Sequence, residues 1–164
     1  MKTNTVILII LLTFLCSISC IDNREKGKLS EQYIEVSKVS DGDTFWVTYK
    51  DGTKEKVRLI GINAPESRKT GKKDKEYFGK ESSDFLKSYL LNKKVRLEYD
   101  VQKTDQYKRT LAYVYMEDDT FLNDYLVKNG YASVATYPPN VKYVDLFVKS
   151  EQYARKNKLG LWKK

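Results

Sequence analysis

The run from Tyr33 to Ile62, YIEVSKVSDGDTFWVTYKDGTKEKVRLIGI, decides the fold. Tyr33 to Val39 alternates apolar and polar side chains, the period of a half-buried strand. Ser40-Asp41-Gly42 is turn chemistry. Thr44 to Tyr49 is rich in aromatic and β-branched residues and reads as a second strand. Asp51-Gly52 signals a hairpin turn, and Lys56 to Ile62 is the third strand of a meander.

Beyond the meander, Lys69 to Lys75 is a lysine-rich exposed loop. Tyr77 to Leu91 places Phe78, Phe85, Leu86, Tyr89 and Leu90 at helical spacing. Val95, Leu97, Tyr99 and Val101 then alternate with Arg96, Glu98 and Asp100, a fourth strand, and Arg109 to Met116 is a fifth. Phe121 to Val127 is a short helix closed by Asn129-Gly130. Pro138-Pro139-Asn140 breaks the chain before a last helix, Tyr143 to Lys158, after which Leu161 and Trp162 are available to fold back. Five strands with a helix between the third and fourth is the order of an OB-type barrel. The predicted class is therefore α+β, a five-stranded OB-type β-barrel with three helices, as one domain over residues 33–164. Aromatic residues are 13% of the chain, mostly tyrosine, and are expected to fill a small barrel core.

Three charged clusters lie on this frame: Asp41-Gly42-Asp43-Thr44, Arg58-Leu59-Ile60-Gly61-Ile62-Asn63-Ala64-Pro65-Glu66 and Asp105-Gln106-Tyr107-Lys108-Arg109. Together they supply oxygens for a hard, Ca²⁺-like cation, a carboxylate base and two arginines. That set suits the attack of water on a phosphodiester, with positive charge opposing what develops on the phosphoryl oxygens. Each cluster alone has an ordinary explanation. Asp41 and Asp43 could end a turn, Arg58 could be a strand's surface charge, Glu66 could cap a segment, and Lys108-Arg109 could be a solvated pair. Their joint occurrence in this order is what those explanations miss. Arg58 and Glu66 also lie outside the apolar pattern, so replacing either is expected to spare the fold.

Composition narrows the chemistry. The chain has no histidine, which excludes histidine acid–base catalysis, His-ligated zinc and a Ser-His-Asp triad. Its two cysteines, Cys16 and Cys20, lie outside the predicted domain, so that domain has neither a disulfide nor a thiol nucleophile. Lys plus Arg number 30 against 22 for Asp plus Glu, a formal charge of +8. Such an excess suits an anionic partner, and serves solubility equally well.

The N-terminus reads as a targeting segment. Lys2 precedes an apolar stretch, Val6 to Leu15, shorter than the roughly 20 residues that span a bilayer. Residues 1–19 are expected to be a signal peptide. Ser17-Ile18-Ser19-Cys20 resembles a loosened bacterial lipoprotein cleavage box, with plain secretion as the alternative. On the lipoprotein reading Cys20 becomes the first residue and carries the lipid anchor. Residues 20–32 form the anchor and tether, and the protein is exported and held at the cell envelope.

The chain resembles staphylococcal nuclease and its thermonuclease relatives from about Tyr33 to Trp162. The motifs are Asp-Gly-Asp-Thr, Arg-Leu-Ile-Gly-Ile-Asn-Ala-Pro-Glu, Asp-Gln-Tyr-Lys-Arg-Thr-Leu-Ala-Tyr and a terminal Leu-Gly-Leu-Trp. The resemblance implies that Asp43, Asn63 and the Ala64 carbonyl hold Ca²⁺, with Asn63 where the family often has an aspartate. It implies that Glu66 is the general base, that Arg58 and Arg109 bind phosphate, and that Tyr107, Leu111 and Tyr137 line the nucleotide pocket. A lysine of that pocket is Gln106 here. The implied activity is endonucleolytic hydrolysis of DNA and RNA with little sequence preference, leaving 3′-phosphates, by a monomer. The alternative is a binding module that has lost catalysis. Such domains usually lack the carboxylates or arginines, whereas Asp43, Arg58, Glu66 and Arg109 are all present.

Overall fold

The structure is a computed structural model that describes residues 32–69 and 74–163. The expected signal peptide, Cys20 and nearly all of the expected tether lie outside the described residues, as do positions 70–73 of the lysine-rich loop. Strands β1 (Ile34–Asp41), β2 (Thr44–Thr48) and β3 (Lys54–Leu59) form the meander, followed by a short β4 (Ile62–Asn63). Helix α1 (Gly79–Leu90) comes next, then β5 (Lys94–Glu98) and β6 (Thr110–Met116). Helix α2 (Leu122–Lys128), β7 (Ser133–Val134) and helix α3 (Val144–Lys156) complete the chain, with a 3₁₀ turn at Gly160–Trp162.

The barrel closes in the order β1-β2-β3-β6-β5, back to β1. All of its pairings are antiparallel except β3 with β6. The expected fold class therefore stands. Alternation decides which side chains point inward. Val36, Phe45, Val47, Val57, Leu59, Val95, Leu97, Ala112 and Val114 are all fully buried, while Lys56 and Arg58 take the other face of β3. Two register shifts in β1, at Val36/Lys38 and Val39/Asp41, bend that strand around the small barrel. Asn123 on α2 is wholly buried. It donates from Nδ2 to the Ile60 carbonyl (2.9 Å) and accepts the Val114 N–H (2.9 Å), tying helix to barrel by two satisfied bonds.

Three readings need correction. The third strand stops at Leu59, because Gly61 (φ 78°) turns the chain and frees Ile62–Asn63 to pair with Ser133–Val134 instead. The fourth strand ends at Glu98, where Asp100 leaves the ladder to accept the Tyr113 hydroxyl at 2.9 Å. The tyrosines do not fill the barrel, whose interior is aliphatic with Phe45. Tyr113 alone among them is fully buried, under the helices. Most of the others pack at seams, as Phe85, Tyr89, Tyr125 and Tyr131 do in a stack between α1 and α2, with Phe85 and Tyr131 centroids 3.9 Å apart. Among the described residues, no helix is long and apolar enough to cross a membrane.

Candidate functional site

The mouth of the barrel opens into a cleft of about 600 Å³. All nine residues singled out from the sequence line it: Asp43, Arg58, Asn63, Ala64, Glu66, Tyr107, Arg109, Leu111 and Tyr137. They come from the β1–β2 turn, β3, the segment around β4, the loop entering β6, β6 itself and the stretch before Pro138. Convergence is achieved by the barrel's closure, since β3 lies parallel to β6 with Arg58 opposite Leu111.

Asp43 anchors the centre. It is buried, and its Oδ2 accepts the Ala64 N–H (2.9 Å) and pairs with Arg58 Nη2 (3.1 Å). Its Oδ1 accepts the Thr44 hydroxyl at 2.9 Å. A carboxylate has about four lone-pair sites, so acceptor capacity remains. Gly42 permits this approach, since a Cβ there would stand 2.6 Å from the Ala64 Cβ. Asp43 and Ala64, far apart in sequence, meet only because that turn carries no side chain.

Arg58 has a second task that its place outside the apolar pattern conceals. Nη1 donates to the Leu59 carbonyl (2.7 Å) and the Ile62 carbonyl (2.9 Å). Nη2 donates to Asn63 Oδ1 (3.2 Å) as well as pairing with Asp43. Four of the five guanidinium donors are engaged in holding the β3–β4 turn, leaving Nε. Removing Arg58 would take the counter-charge from buried Asp43, which keeps the Ala64 N–H and the Thr44 hydroxyl, and a donor from two carbonyls, so its loss bears on the fold as well as on the cleft.

Arg109 is arranged differently. Its Nε donates to Asp105 Oδ2 at 2.7 Å, which leaves both Nη groups for a ligand. Asp105 Oδ1 accepts the backbone N–H of Tyr107 and of Arg109, each at 2.9 Å. Partial burial would raise the Asp105 carboxyl, but the backbone N–H and guanidinium of Arg109 outweigh it and hold the group below the usual carboxylate range. Asp105 was visible only as part of a cluster. Its four-residue spacing from Arg109 was the available signal.

Glu66 is placed by its backbone. Its N–H donates to Glu76 Oε2 and its carbonyl accepts the Glu76 N–H, each at 2.9 Å. Its carbonyl also lies against Gly79, the first residue of α1. Neither Glu76 nor Gly79 was recognised from sequence. Tyr107 and Tyr137 are 71% and 72% exposed, so they belong to the rim and not to the core. The Arg109 guanidinium sits 5.4 Å from the Tyr107 ring centre. The stretch bearing Tyr137 is fastened by Asn140, whose Oδ1 accepts the Gln102 N–H and whose Nδ2 donates to the Gln102 carbonyl, both at 2.8 Å.

The donor set for a cation consists of oxygens only. Among the described residues, no group of three or more Asp, Glu, His or Cys side chains forms a cage. Asp43, the Asn63 amide oxygen and nearby carbonyls fit a hard cation that keeps waters and takes ligand oxygens, and do not fit zinc or copper.

Residues 56–164 match the family model described as staphylococcal nuclease homologue. The thermonuclease of Staphylococcus hyicus is 44% identical over 133 residues, covering 81% of this chain and 77% of that protein. The thermonuclease of Staphylococcus intermedius is 45% identical over 134 residues, covering 82% and 77%. The SPbeta prophage-derived endonuclease YokF of Bacillus subtilis is 39% identical over 133 residues, covering 80% of this chain and 44% of that protein.

Proposed function

The chain belongs to the staphylococcal nuclease homologue family, and from that premise we propose that it is a Ca²⁺-dependent endonuclease that hydrolyses phosphodiester bonds of DNA and RNA. The observation that carries this reading is the cleft, which gathers two arginines, Asp43 and Glu66 beside two exposed tyrosines. Glu66 accepts a proton from water as that water's oxygen forms its bond to phosphorus. The P–O5′ bond breaks and the departing oxygen takes up a proton from water, leaving a 3′-phosphate and a 5′-hydroxyl. The free Nη groups of Arg109 meet the charge growing on the phosphoryl oxygens. Asp43, Asn63 Oδ1 and the Ala64 carbonyl would hold the cation. When bound, Ca²⁺ adds positive charge at the same oxygens. Tyr107, Tyr137 and Leu111 take the base and sugar, with little sequence preference, since backbone contacts carry no sequence information.

The test is digestion of plasmid DNA and of RNA by the purified protein with Ca²⁺ and then with excess chelator. Cleavage in Ca²⁺ alone supports the reading, and full activity in chelator refutes the metal. The alternative, a catalytically silent nucleic-acid-binding module, predicts binding without cleavage in either condition.

We further propose export, with residues 1–19 removed and Cys20 lipidated. The support is the short apolar stretch ending in Ser17-Ile18-Ser19-Cys20. Cys20→Ser should release the protein from membranes or block its processing. Retention in the membrane fraction at the normal mature mass would refute the anchor.

A further inference from the structure

The cleft carries more positive charge than the reacting centre uses. Arg58 is paired with Asp43 and Arg109 with Asp105. Lys56 also lines the cleft. Among the described residues its ammonium has no ion pair, and its contact is with the Trp46 ring, 6.0 Å from the centroid. A half-buried lysine without a counter-charge, in a cleft that also holds two arginines, raises the local potential.

The register shows where that charge stands. Trp46 pairs with Lys56 and Thr44 with Arg58 across β2–β3. Val57 pairs with Thr110 and Arg58 with Leu111 across β3–β6. Val57 and Leu59 fill the barrel, so Lys56 and Arg58 share the opposite face, two residues or about 7 Å apart. Lys56 and Arg109 each precede the Val57–Thr110 pair by one residue, at the same end of that ladder. Lys56 is thus set back from the Arg58–Asp43 centre and toward the arginine that carries the exposed Tyr107.

We propose that Lys56 binds a second phosphodiester of a single strand, adjacent to the one that reacts, and that Trp46 steers its stem. A lysine suits this role, being a compact charge without the geometric demands of a guanidinium. The inference rests on the nuclease reading only in taking nucleic acid as the occupant of the cleft.

The test measures binding of a fluorescent single-stranded oligonucleotide to the purified protein in chelator, across a salt series. Lys56→Met keeps the stem over Trp46 and removes the charge. It should weaken binding about fivefold at low salt and reduce the slope of log affinity against log salt by about 0.7, one phosphate contact. Lys56→Arg should retain the wild-type slope. With Ca²⁺, Lys56→Met should raise KM on the oligonucleotide and leave kcat/KM unchanged on a dinucleotide with a single phosphodiester. Equal slopes in all three proteins would overturn the proposal, as would an equal loss on the dinucleotide, which would put Lys56 at the reacting phosphate. If the wild type binds but never cleaves, the nuclease reading fails and the salt slopes alone decide the Lys56 contact. If the wild type does not bind, the contact falls.

Discussion

Gly79→Ala is the perturbation that most directly tests how Glu66 is held. A Cβ at position 79 would lie 2.1 Å from the Glu66 carbonyl oxygen, 2.6 Å from its carbon and 3.0 Å from the Pro65 oxygen. Ordinary contact begins near 3.4 Å, so the two backbones must separate by about 1.3 Å. All three obstacles are main-chain atoms, and a rotamer change cannot relieve them. Overpacking of this kind costs roughly 1–3 kcal/mol. Alanine at the first helical position returns up to about 1 kcal/mol of helix propensity. The net loss is between zero and about 3 kcal/mol, which for a chain of this size is a fall in Tm of no more than about 12 °C. Catalysis should suffer more. Displacing a proton-accepting group by about 1 Å can cost on the order of a hundredfold in rate. The assay is kcat for oligonucleotide cleavage beside Tm by circular dichroism. A kcat within threefold of wild type (about 0.65 kcal/mol of barrier) in a folded Gly79→Ala protein would show that this contact does not set the position of Glu66.

Asp105→Asn should lower kcat roughly tenfold with little change in KM, because Arg109 keeps its charge and loses the partner that aims it; wild-type kcat would remove Asp105 from the positioning of that arginine. Alkali should destabilise the fold. The bond to Glu98 holds the Lys142 ammonium above its ordinary value, and burial pushes the Tyr113 and Tyr115 hydroxyls up. Stability from a raised value is complete below the unfolded-state value and drains away as pH climbs, so the denaturant midpoint should fall above about pH 10. A midpoint flat from neutrality to about pH 11 would refute the coupling.

What could be read from the sequence, and what could not, separates by distance along the chain. The barrel was legible because β1 and β5 alternate apolar and polar side chains and β2 is rich in aromatic and β-branched residues. Eight of the nine cleft residues were legible because they fall within the short runs that carry the family resemblance; Tyr137 lies outside those runs. β4 and β7 were not, since two residues have no period. Glu98 shows another limit. Alternation sends it away from the barrel core, where an acid belongs, yet it is 3% exposed. Tyr115, Tyr143 and Lys142 close over it and all donate to it. Alternation reports which face a side chain takes, and long-range packing decides whether anything covers that face.

The same limit applies to charge. A net +8 predicts an anionic partner but not where that partner would be held. In the cleft, the two arginines that the motifs pick out are each neutralised by a carboxylate, Arg58 by Asp43 and Arg109 by Asp105. Those pairs fix geometry and contribute little uncompensated field. Among the described residues, the cleft's cations without a carboxylate partner are Lys56 and Arg68, the latter donating a long bond (3.5 Å) to the Ser40 carbonyl. Attraction of a polyanion and stabilisation of the reacting phosphate are therefore assigned to different cations. Ionic strength should act chiefly on the first, because exposed, unpaired charges are the ones salt screens.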